Sequence, residues 1–276
     1  MTVPMKKFIR RAQDILLRNS LTASLQRDRR REELLNQARY ATAGCLTRHE
    51  HQVFSQNGED GAIREILRRI GEPHRRFIEI GVGDGLENNT AFLLLQGWSG
   101  VWIEGSEKSC QSIRSTFAAE LASGQLTLIQ ALVTAENINS LLAPWAGQPV
   151  DVFSLDIDLN TPHVWGALEA ISPSLSIIEY NPIFPPDMAW TAEYQADAWW
   201  SGSSYYGGSL AAMTGIGNAK GAILVGCDLT GTNAYFVRHD LCGEHFLDPG
   251  SAMTHYEPAR TYLFGRKPGH PRAWRN

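Results

Sequence analysis

The stretch Phe77-Ile-Glu-Ile-Gly-Val-Gly-Asp-Gly85 indicates which fold the chain adopts. It is a short apolar run that leads into a GxGxG turn and then into a segment with helical character. Glycines at such a turn let the backbone bend tightly and let a ligand approach it closely. In a parallel α/β sheet the turn lies at the carboxyl end of a strand, beside a helix N-terminus. The stretch therefore predicts a ligand site on a doubly wound sheet.

The pattern on both sides of the turn extends this prediction to a whole α/β domain. Apolar runs predict strands at 77–80, 100–103, 126–132, 150–155, 175–178, 222–225 and 233–238. Helices are predicted at 5–40, 62–70, 89–96, 110–121, 138–142, 165–170 and from 209 onward. Strands that alternate with helices indicate βαβ units. We therefore expect a Rossmann-like, doubly wound, mostly parallel seven-stranded sheet with a C-terminal antiparallel hairpin.

Length and composition limit the class of protein. With 276 residues, 43% of them hydrophobic and 20% charged, the chain suits one large domain with a short appendage. We divide it into an N-terminal helical extension, 1–50, and a main domain, 51–276. The net charge of −4 gives no reason to expect nucleic acid. The four cysteines are widely spaced without a CxxC pair, so we expect free thiols rather than a zinc or redox site.

The N-terminal extension is basic, with ten Lys or Arg and four Asp or Glu in residues 1–39. Phe8, Ile15 and Leu16 form a short apolar stripe on the predicted helix. The stripe favours either reversible contact with an anionic membrane surface or packing on the main domain or a second subunit of a homo-oligomer. No run approaches the roughly 20 apolar residues of a membrane span, and no apolar segment of a signal peptide follows the basic start. We expect a cytoplasmic protein, with the inner face of the membrane as its alternative location.

Two acidic residues distinguish the glycine turn from the GxGxxG turn of nicotinamide enzymes. Glu79 lies two positions before the first glycine, and Glu104 ends the next predicted strand. Glu104 lies at about the separation expected of a carboxylate that binds a ribose diol. S-adenosylmethionine (SAM) carries a ribose, a sulfonium and an ammonium group but no pyrophosphate. A site built from carboxylates suits SAM better than it suits a dinucleotide.

Glu79-x-Gly81-x-Gly83-x-Gly85 together with Glu104 resembles the first two motifs of class I SAM-dependent methyltransferases. Further segments resemble the FkbM-like branch of that class: Phe54-Ser-Gln-Asn-Gly-Glu-Asp-Gly61, Glu87-Asn-Asn-Thr90, Gly97-Trp-Ser-Gly-Val-Trp-Ile-Glu104, Ser154-Leu-Asp-Ile-Asp158 and Ile178-Glu-Tyr-Asn181. The resemblance covers roughly residues 53–240. It implies O-methylation of natural products or glycans, by analogy of fold and motif.

The resemblance also implies a set of cofactor contacts. Gln56 and Asp60 would help to close the pocket, Glu79 would face the methionine end, and Glu104 would face the ribose. The cofactor residues expected on this basis are Ser55, Gln56, Asp60, Glu79, Gly81, Gly83, Gly85, Asn89, Glu104 and Asp156. An alternative for the Ser55–Asp60 segment is a helix-capping box with Ser55 as N-cap.

Acidic residues end the fourth and fifth predicted strands. Asp156, Glu179 and Asn181 would meet at the ligand edge of the sheet, and their oxygen ligands suit Mg²⁺ or Ca²⁺. The site resembles that of catechol-type and macrocin-type O-methyltransferases, which place a divalent cation after the same two strands. It departs from the catechol-type pattern because Tyr180 separates the last two residues. The metal-free alternative is that Asp156 and Asp158 bind substrate hydroxyls or act as base.

Two further features suggest catalytic and substrate groups. His163, with Asp158, is the general-base candidate, and its alternative is an ordinary residue at a helix start. The segment 182–208 is rich in aromatic residues without clear periodicity. Its predicted substrate contacts, suited to sugar rings or flat polyketides, are Trp190, Tyr194, Tyr205 and Tyr206. The alternatives are a subunit interface, or a lid hinged on the glycines at 207 and 208.

Together these features favour a SAM-dependent O-methyltransferase that acts on a hydroxyl of a saccharide, glycan or natural product, with or without a divalent cation. Two other functions are compatible with the same fold. One is a non-catalytic binding protein of methyltransferase fold, and the other is a nicotinamide-dependent oxidoreductase, which GxGxG and Glu79 disfavour.

Overall fold

A computed structural model describes residues 21–263 and 273–274 of the chain. Its strands are β1 Arg76–Ile80, β2 Ser99–Glu104, β3 Leu126–Gln130, β4 Val152–Leu155, β5 Leu175–Glu179, β6 Ala222–Cys227 and β7 Asn233–Arg238. Its α-helices are α1 Leu21–Leu35, α2 Ala38–Ala41, α3 Glu59–Ile70, α4 Ala91–Leu95, α5 Glu107–Thr116, α6 Ala118–Ala122, α7 Ile138–Leu142, α8 Thr161–Ala167, α9 Leu210–Ala219, α10 His239–Cys242 and α11 Ala252–His255. Short 3-10 turns lie at Thr47–His49, Ala143–Trp145, Asp158–Asn160 and Thr261–Leu263.

The strands form one sheet in the order β3-β2-β1-β4-β5-β7-β6. Strands β1 to β5 pair in parallel, and β7 runs antiparallel to both β5 and β6. The chain winds outward from β1 in one direction and then, from β4, in the other. The strand order therefore reverses between β1 and β4, which is where ligands bind in doubly wound sheets. The predicted fold class, including the antiparallel hairpin, is confirmed.

Side chains of the central strands alternate between two apolar layers, one on each face of the sheet. Phe77 lies on one face, where Trp102 and Phe117 also pack edge-to-face at 4.8 Å between ring centroids. Ile78 lies on the other face, with Trp165. Because helices cover both faces, the parallel strands are buried on both sides and read as continuous apolar runs.

The N-terminal helical segment differs from the prediction. The single helix expected at 5–40 is, in its described part, two helices, α1 and α2, separated by Gln37 in an extended conformation (φ −69°, ψ 146°). Phe8, Ile15 and Leu16, the predicted apolar stripe, lie outside the described residues. The described part of the segment packs on the main domain, because Glu50, which receives Arg31 at 3.1 Å, also accepts the backbone N–H of Leu229 at 2.7 Å.

One helix begins, and another divides, at a residue that the sequence pattern did not predict. Helix α8 begins at Thr161 rather than 165, because Pro162 suits the first turn of a helix. The helix predicted at 110–121 divides at Phe117, whose φ of −110° and ψ of 29° leave the helical range. Burial of the Phe117 ring against the sheet accompanies that break.

None of the helices in the described ranges combines the length and the apolar character that a bilayer crossing requires. All four cysteines are free thiols, as the sequence predicts.

Candidate functional site

The main cavity opens at the carboxyl ends of β1, β2, β4 and β5. Its volume of about 670 Å³ lies within the range of small-molecule sites, roughly 300–1,000 Å³. Residues from the glycine turn, from Glu104 to Gly105, from 131–133, and from the acidic ends of β4 and β5 line it. A second cavity of about 510 Å³ adjoins it on the other side of the glycine turn. The residues that line both cavities are Gln56, Gly81, Gly83 and Asp156.

The three glycines of the turn have different physical roles. Gly81 has φ +83°, and a Cβ there would lie 1.7 Å from the carbonyl oxygen of Asp156, so the turn touches the end of β4 through bare backbone. A Cβ on Gly85 would meet the Phe117 ring at 2.7 Å. Gly83, with φ +63°, has no atom within 4 Å of its Cβ position. Gly81 and Gly85 therefore serve packing, whereas Gly83 leaves open space for a ligand.

Glu104 ends β2 beside the cavity and is only 7% exposed. Its carboxylate accepts the backbone N–H groups of Gly83 at 2.8 Å and Ser106 at 2.7 Å. These bonds fix the orientation of the carboxylate. Each of its oxygens has a further lone pair, so it has capacity for additional donors such as ribose hydroxyls.

Glu79 is buried and holds the loop that follows the glycine turn. It accepts from Asn88 Nδ2 at 2.7 Å, from the backbone N–H of Asn89 at 2.8 Å and from that of Thr90 at 3.0 Å. Burial raises the pKa of Glu79, and hydrogen bonds from Thr90 and Asn89 oppose that rise. Glu79 and Asn89 line the second cavity, next to the residues that the two cavities share. The sequence placed both of these residues at the cofactor.

The segment before α3 divides into ligand-facing and structural residues. Asp60 Oδ2 accepts the backbone N–H groups of Val53, Phe54 and Ser55 at 2.7 to 2.9 Å, and Ser55 Oγ accepts the N–H of Asp60 at 3.0 Å. Burial raises the pKa of Asp60, and its bonds to Val53 and Ser55 oppose the rise. Ser55 and Asp60 thus fold the loop and line neither cavity, whereas Gln56 lines both. The N-cap of α3 is Gly58, not Ser55.

Three carboxylates meet in the main cavity, where β4 and β5 end. Oxygen atoms of Asp156, Asp158 and Glu179 lie within 4.8 Å of one another. Burial, with the charge of Asp158, raises the pKa of Asp156 to about 7. Burial, with the charge of Asp156, raises that of Glu179 well above its usual range. Oε2 of Glu179 is buried without a hydrogen-bond partner. Burial and mutual repulsion therefore disfavour the ionised forms of these carboxylates, and a bound cation or cationic ligand would stabilise those forms.

The lining of the main cavity adds no compensating cation. Of the described residues that line it, none is Lys, Arg or His, while Glu104, Asp156, Asp158 and Glu179 are acidic. Asp158 also adopts the left-handed region with φ 56°, a conformation that Asp tolerates better than most residues. Such backbone strain concentrates at ligand sites. The cavity is chemically suited to a cationic ligand, a cation, or both.

Asn181, expected as a metal ligand, does not line the main cavity, and its side chain is engaged in hydrogen bonds. Its amide nitrogen donates to the carbonyl oxygens of Ser204 at 3.0 Å and Tyr206 at 2.9 Å, and its oxygen accepts the N–H of Ile183 at 3.2 Å. Asp158 is the third carboxylate of the cluster, beside Asp156 and Glu179. The structure therefore gives Asn181 the task of holding the aromatic segment against β5.

His163, expected as a general base, anchors the same segment. Its Nε2 lies 2.7 Å from the carbonyl oxygen of Ala192 and therefore carries the proton of that hydrogen bond. Its ring lies 5.2 Å from that of Tyr194. His163 is not among the residues that line the main cavity, so the bond to Ala192 defines its position.

The aromatic segment 182–208 supplies both anchors and cavity walls. Trp190 stacks on Phe184 at 4.2 Å and meets the Tyr205 ring edge-to-face at 5.4 Å. Tyr194 accepts from the N–H of Ala135 at 3.1 Å and donates to Glu136. Of the four predicted substrate contacts, only Tyr206 lines the cavity in the described structure. Burial and the nearby carboxylate of Glu179 raise the pKa of Tyr206.

Several residues that line the main cavity were not predicted from the sequence. Trp199 and Trp200, from the aromatic segment, form part of its wall, and Thr230 to Thr232 form another part. Asp228 positions that second wall by accepting the N–H groups of Thr230 at 2.8 Å and Thr232 at 3.2 Å. The signal for Trp199 and Trp200 was their adjacency in a loop, but no pattern indicated which way each ring points.

Comparisons with known proteins give a remote likeness in structure. The chain matches no protein-family model and no curated protein sequence. It is similar to the N-terminal domain of EvdMO1 with SAH bound, at a TM-score of 0.42 and 13% identity over 68% of this chain and 80% of that one. It is similar to an O-methyltransferase from Bacillus cereus in complex with SAH, at 0.41 and 14% over 83% and 96%. It is also similar to a SAM-dependent methyltransferase from Aquifex aeolicus, at 0.39 and 11% over 65% and 91%. Likeness this low concerns the fold only, so the function has to follow from the site.

Proposed function

We propose that the protein is a SAM-dependent methyltransferase that transfers a methyl group to a hydroxyl. The observation that carries the proposal is the charge of the main cavity. It has Glu104 at one end, three clustered carboxylates at the other and no basic residue among its described lining. SAM bears a sulfonium and an ammonium group, and nearby carboxylates stabilise both cations.

The geometry of the turn is compatible with the three parts of this cofactor. Glu104 would accept hydrogen bonds from the ribose diol, and the open space over Gly83 would admit the nucleoside. The methionine end would lie near Gln56, Gly81 and Asp156, which line both cavities. A dinucleotide fits poorly, because Asp156, Asp158 and Glu179 would repel a pyrophosphate in the main cavity and no basic residue of the described lining offsets them.

The carboxylate cluster favours an oxygen acceptor held by a divalent cation. Asp156, Asp158 and Glu179 offer hard oxygen ligands close together, and the unpartnered Oε2 of Glu179 gives a cation a ready ligand. A cation bound there would lower the pKa of a coordinated hydroxyl. Where no cation is bound, Asp158 would receive the hydroxyl proton while the oxygen gains the methyl group and the sulfonium becomes a neutral thioether. Tyr206 would contact the acceptor from the aromatic segment.

The charge of the cavity also restricts the acceptor. An acceptor with a phosphate or carboxylate near the reacting hydroxyl would face repulsion from the cluster. A neutral polyol, such as a saccharide, or a neutral aromatic natural product meets no such penalty. This restriction leaves glycans and natural products without local negative charge as the proposed substrates.

The test is direct binding of the cofactor product. Protein denatured after purification should release SAM or S-adenosylhomocysteine (SAH), identified by mass spectrometry, and ligand-free protein should bind SAH in calorimetry. Release of NAD(H) would instead favour an oxidoreductase. If SAH binds but no methyl transfer to any neutral acceptor follows, the non-catalytic binding protein becomes the better description.

A further inference from the structure

Trp199 lies at the cofactor end of the main cavity, although it belongs to the aromatic segment. A Cβ built on Gly105 would lie 3.2 Å from Cη2 of Trp199, so the indole covers the backbone directly after Glu104. Gly105 lies next to Leu132 as well, and all four residues line the cavity. The absence of a side chain at Gly105 allows this close approach.

The indole has a large free surface. Trp199 is 64% exposed, a large exposed fraction for an aromatic side chain that lines a cavity. The segment that bears it is anchored on both sides: Asn160 donates to the carbonyl oxygen of Gln195 at 2.8 Å, and Asn181 donates to that of Tyr206. The tip between these anchors, 197–203, therefore holds an exposed aromatic ring over the cavity.

From this placement we infer that Trp199 is the side chain that stacks on the adenine ring of the cofactor. The inference rests on the proposed function, because it takes Glu104 as the ribose ligand. The base is attached directly to the ribose, so a base next to Glu104 would lie beside Gly105, against the exposed surface of the indole. Flat aromatic side chains bind nucleobases through their π-faces without needing hydrogen bonds.

The placement has a consequence for the order of binding. Tyr206, which lines the acceptor end beside the three carboxylates, is seven residues from Trp199 in the same segment. A cofactor held against Trp199 would hold the tip in place, and with it the wall of the acceptor site. Cofactor therefore binds before acceptor, and the free protein has a tip that is open to proteases.

The experiment measures SAH affinity by calorimetry in the wild type and three variants. We expect Trp199→Ala to weaken SAH binding about tenfold, in keeping with the loss of one base–aromatic stack. Trp199→Phe should stay within about threefold of the wild type because it keeps an aromatic face. Met188→Ala is the matched control, since Met188 is an exposed apolar residue of the same segment outside the cavity lining, and it should bind SAH normally.

A second measurement follows chymotrypsin cleavage at the tip. SAH should protect the wild type and should fail to protect Trp199→Ala at an SAH concentration that saturates both proteins. If Trp199→Ala binds SAH as tightly as the wild type, the inference is overturned while the proposed function stands. If the wild type binds no SAH at all, the proposed function and this inference are overturned together. Because Trp199 is largely exposed, its substitution should leave the melting temperature unchanged.

Discussion

At the residue scale, the proposed function depends first on Glu104. Its carboxylate is held by two backbone N–H groups and faces the cavity. We expect Glu104→Ala to weaken SAH binding at least about tenfold, because bonds to a charged group contribute roughly 1.5–3 kcal/mol each. Glu107→Ala, a change to an exposed acid in the next helix, is the control and should bind normally. A folded Glu104→Ala protein with wild-type affinity in calorimetry would remove Glu104 from the site.

Two glycines of the turn should respond differently to the same substitution. Gly81→Ala places a Cβ 1.7 Å from the carbonyl oxygen of Asp156, so we expect the domain to lose its cooperative thermal transition. The methyl group added by Gly83→Ala meets only open space, but alanine in this left-handed conformation lowers the free energy of unfolding by about 1–2 kcal/mol. It should fold with a lower melting temperature and bind SAH more weakly. Circular dichroism and calorimetry check both, and a stable Gly81→Ala protein would contradict the packing argument.

The pKa of Asp156, one of the three clustered carboxylates, predicts how the stability of the fold depends on pH. The pKa of Asp156 is raised by burial from 3.8 to about 7, so the folded state binds a proton that the unfolded state has lost. The stabilisation from that proton is present at low pH and is lost as pH rises toward 7. In EDTA, the melting temperature should therefore fall between pH 5 and 7.5, and Asp156→Asn should reduce that fall. Scanning calorimetry measures it, and an equal fall in both proteins would contradict the assignment.

A divalent cation should reverse the effect in a defined way. Mg²⁺ needs ionised ligands and competes with protons for them. We therefore expect Mg²⁺ to raise the melting temperature more at pH 7.5 than at pH 5.5, and Glu179→Gln to reduce the increase. Methyl transfer should stop in EDTA and return with Mg²⁺. Indifference of both stability and turnover to Mg²⁺ would leave Asp156 and Asp158 as residues that bind the acceptor directly.

At the element scale, the aromatic segment is positioned by polar bonds from the sheet and from α8. Asn181 makes two of these bonds, so Asn181→Asp would turn a carboxylate toward two carbonyl oxygens. We expect that variant to be cut by chymotrypsin within the segment several times faster than the wild type. If Asn181 were a cation ligand, as the sequence indicated, the added charge would strengthen Mg²⁺ binding instead. Parallel proteolysis and Mg²⁺ titration separate the two roles.

The strands, the glycine turn and the aromatic segment differ in how much of each could be predicted from the sequence. The parallel strands were predicted to within a few residues because strands buried on both faces are continuous apolar runs. The positions of the glycine turn and of Glu104 at strand ends beside the cavity were predicted, because a ligand at a strand end requires those residue types. The bond from His163 to Ala192 was not, because it joins residues far apart in sequence and no local pattern encodes it. For that reason only the structure separates Tyr206 from the other three predicted substrate contacts, and only the structure assigns Trp199 to the cavity.

At the scale of the whole molecule, residues just after α1 belong to the folded domain. Tyr40 is buried, and its hydroxyl donates to Glu257 at 2.7 Å. Glu257 also receives Arg39 at 2.8 Å and Arg260 at 2.6 Å. Burial raises the pKa of Glu257, and the bond from Arg260 and the charge of Arg39 oppose that rise. We therefore propose that the functional boundary of the N-terminal extension lies before residue 36, rather than at 50.

Two truncations test this boundary and the role of the basic N-terminus together. Removal of residues 1–40 deletes Arg39 and Tyr40 and leaves buried Glu257 with fewer hydrogen-bond partners. We expect this truncation to lower the melting temperature by roughly 5 °C or more, because a loss of about 1 kcal/mol corresponds to roughly 2–4 °C in a domain of this size. Removal of 1–20 alone keeps every one of these bonds and should leave SAH binding and melting temperature unchanged. A wild-type melting temperature after the longer truncation would place the boundary at 50.

The shorter truncation also decides what the basic segment binds. Residues 1–20 carry Lys6, Lys7, Arg10, Arg11 and Arg18 with a single acid, so attraction to an anionic bilayer is about 1 kcal/mol per basic group near the surface and is weakened by salt. We expect the full chain to float with vesicles containing phosphatidylserine at low salt and the truncated chain to remain at the bottom of the gradient. Neutral phosphatidylcholine vesicles are the control. If light scattering instead shows that the truncation lowers the oligomer mass, and the full chain never floats, the segment is a subunit contact and the membrane proposal is wrong.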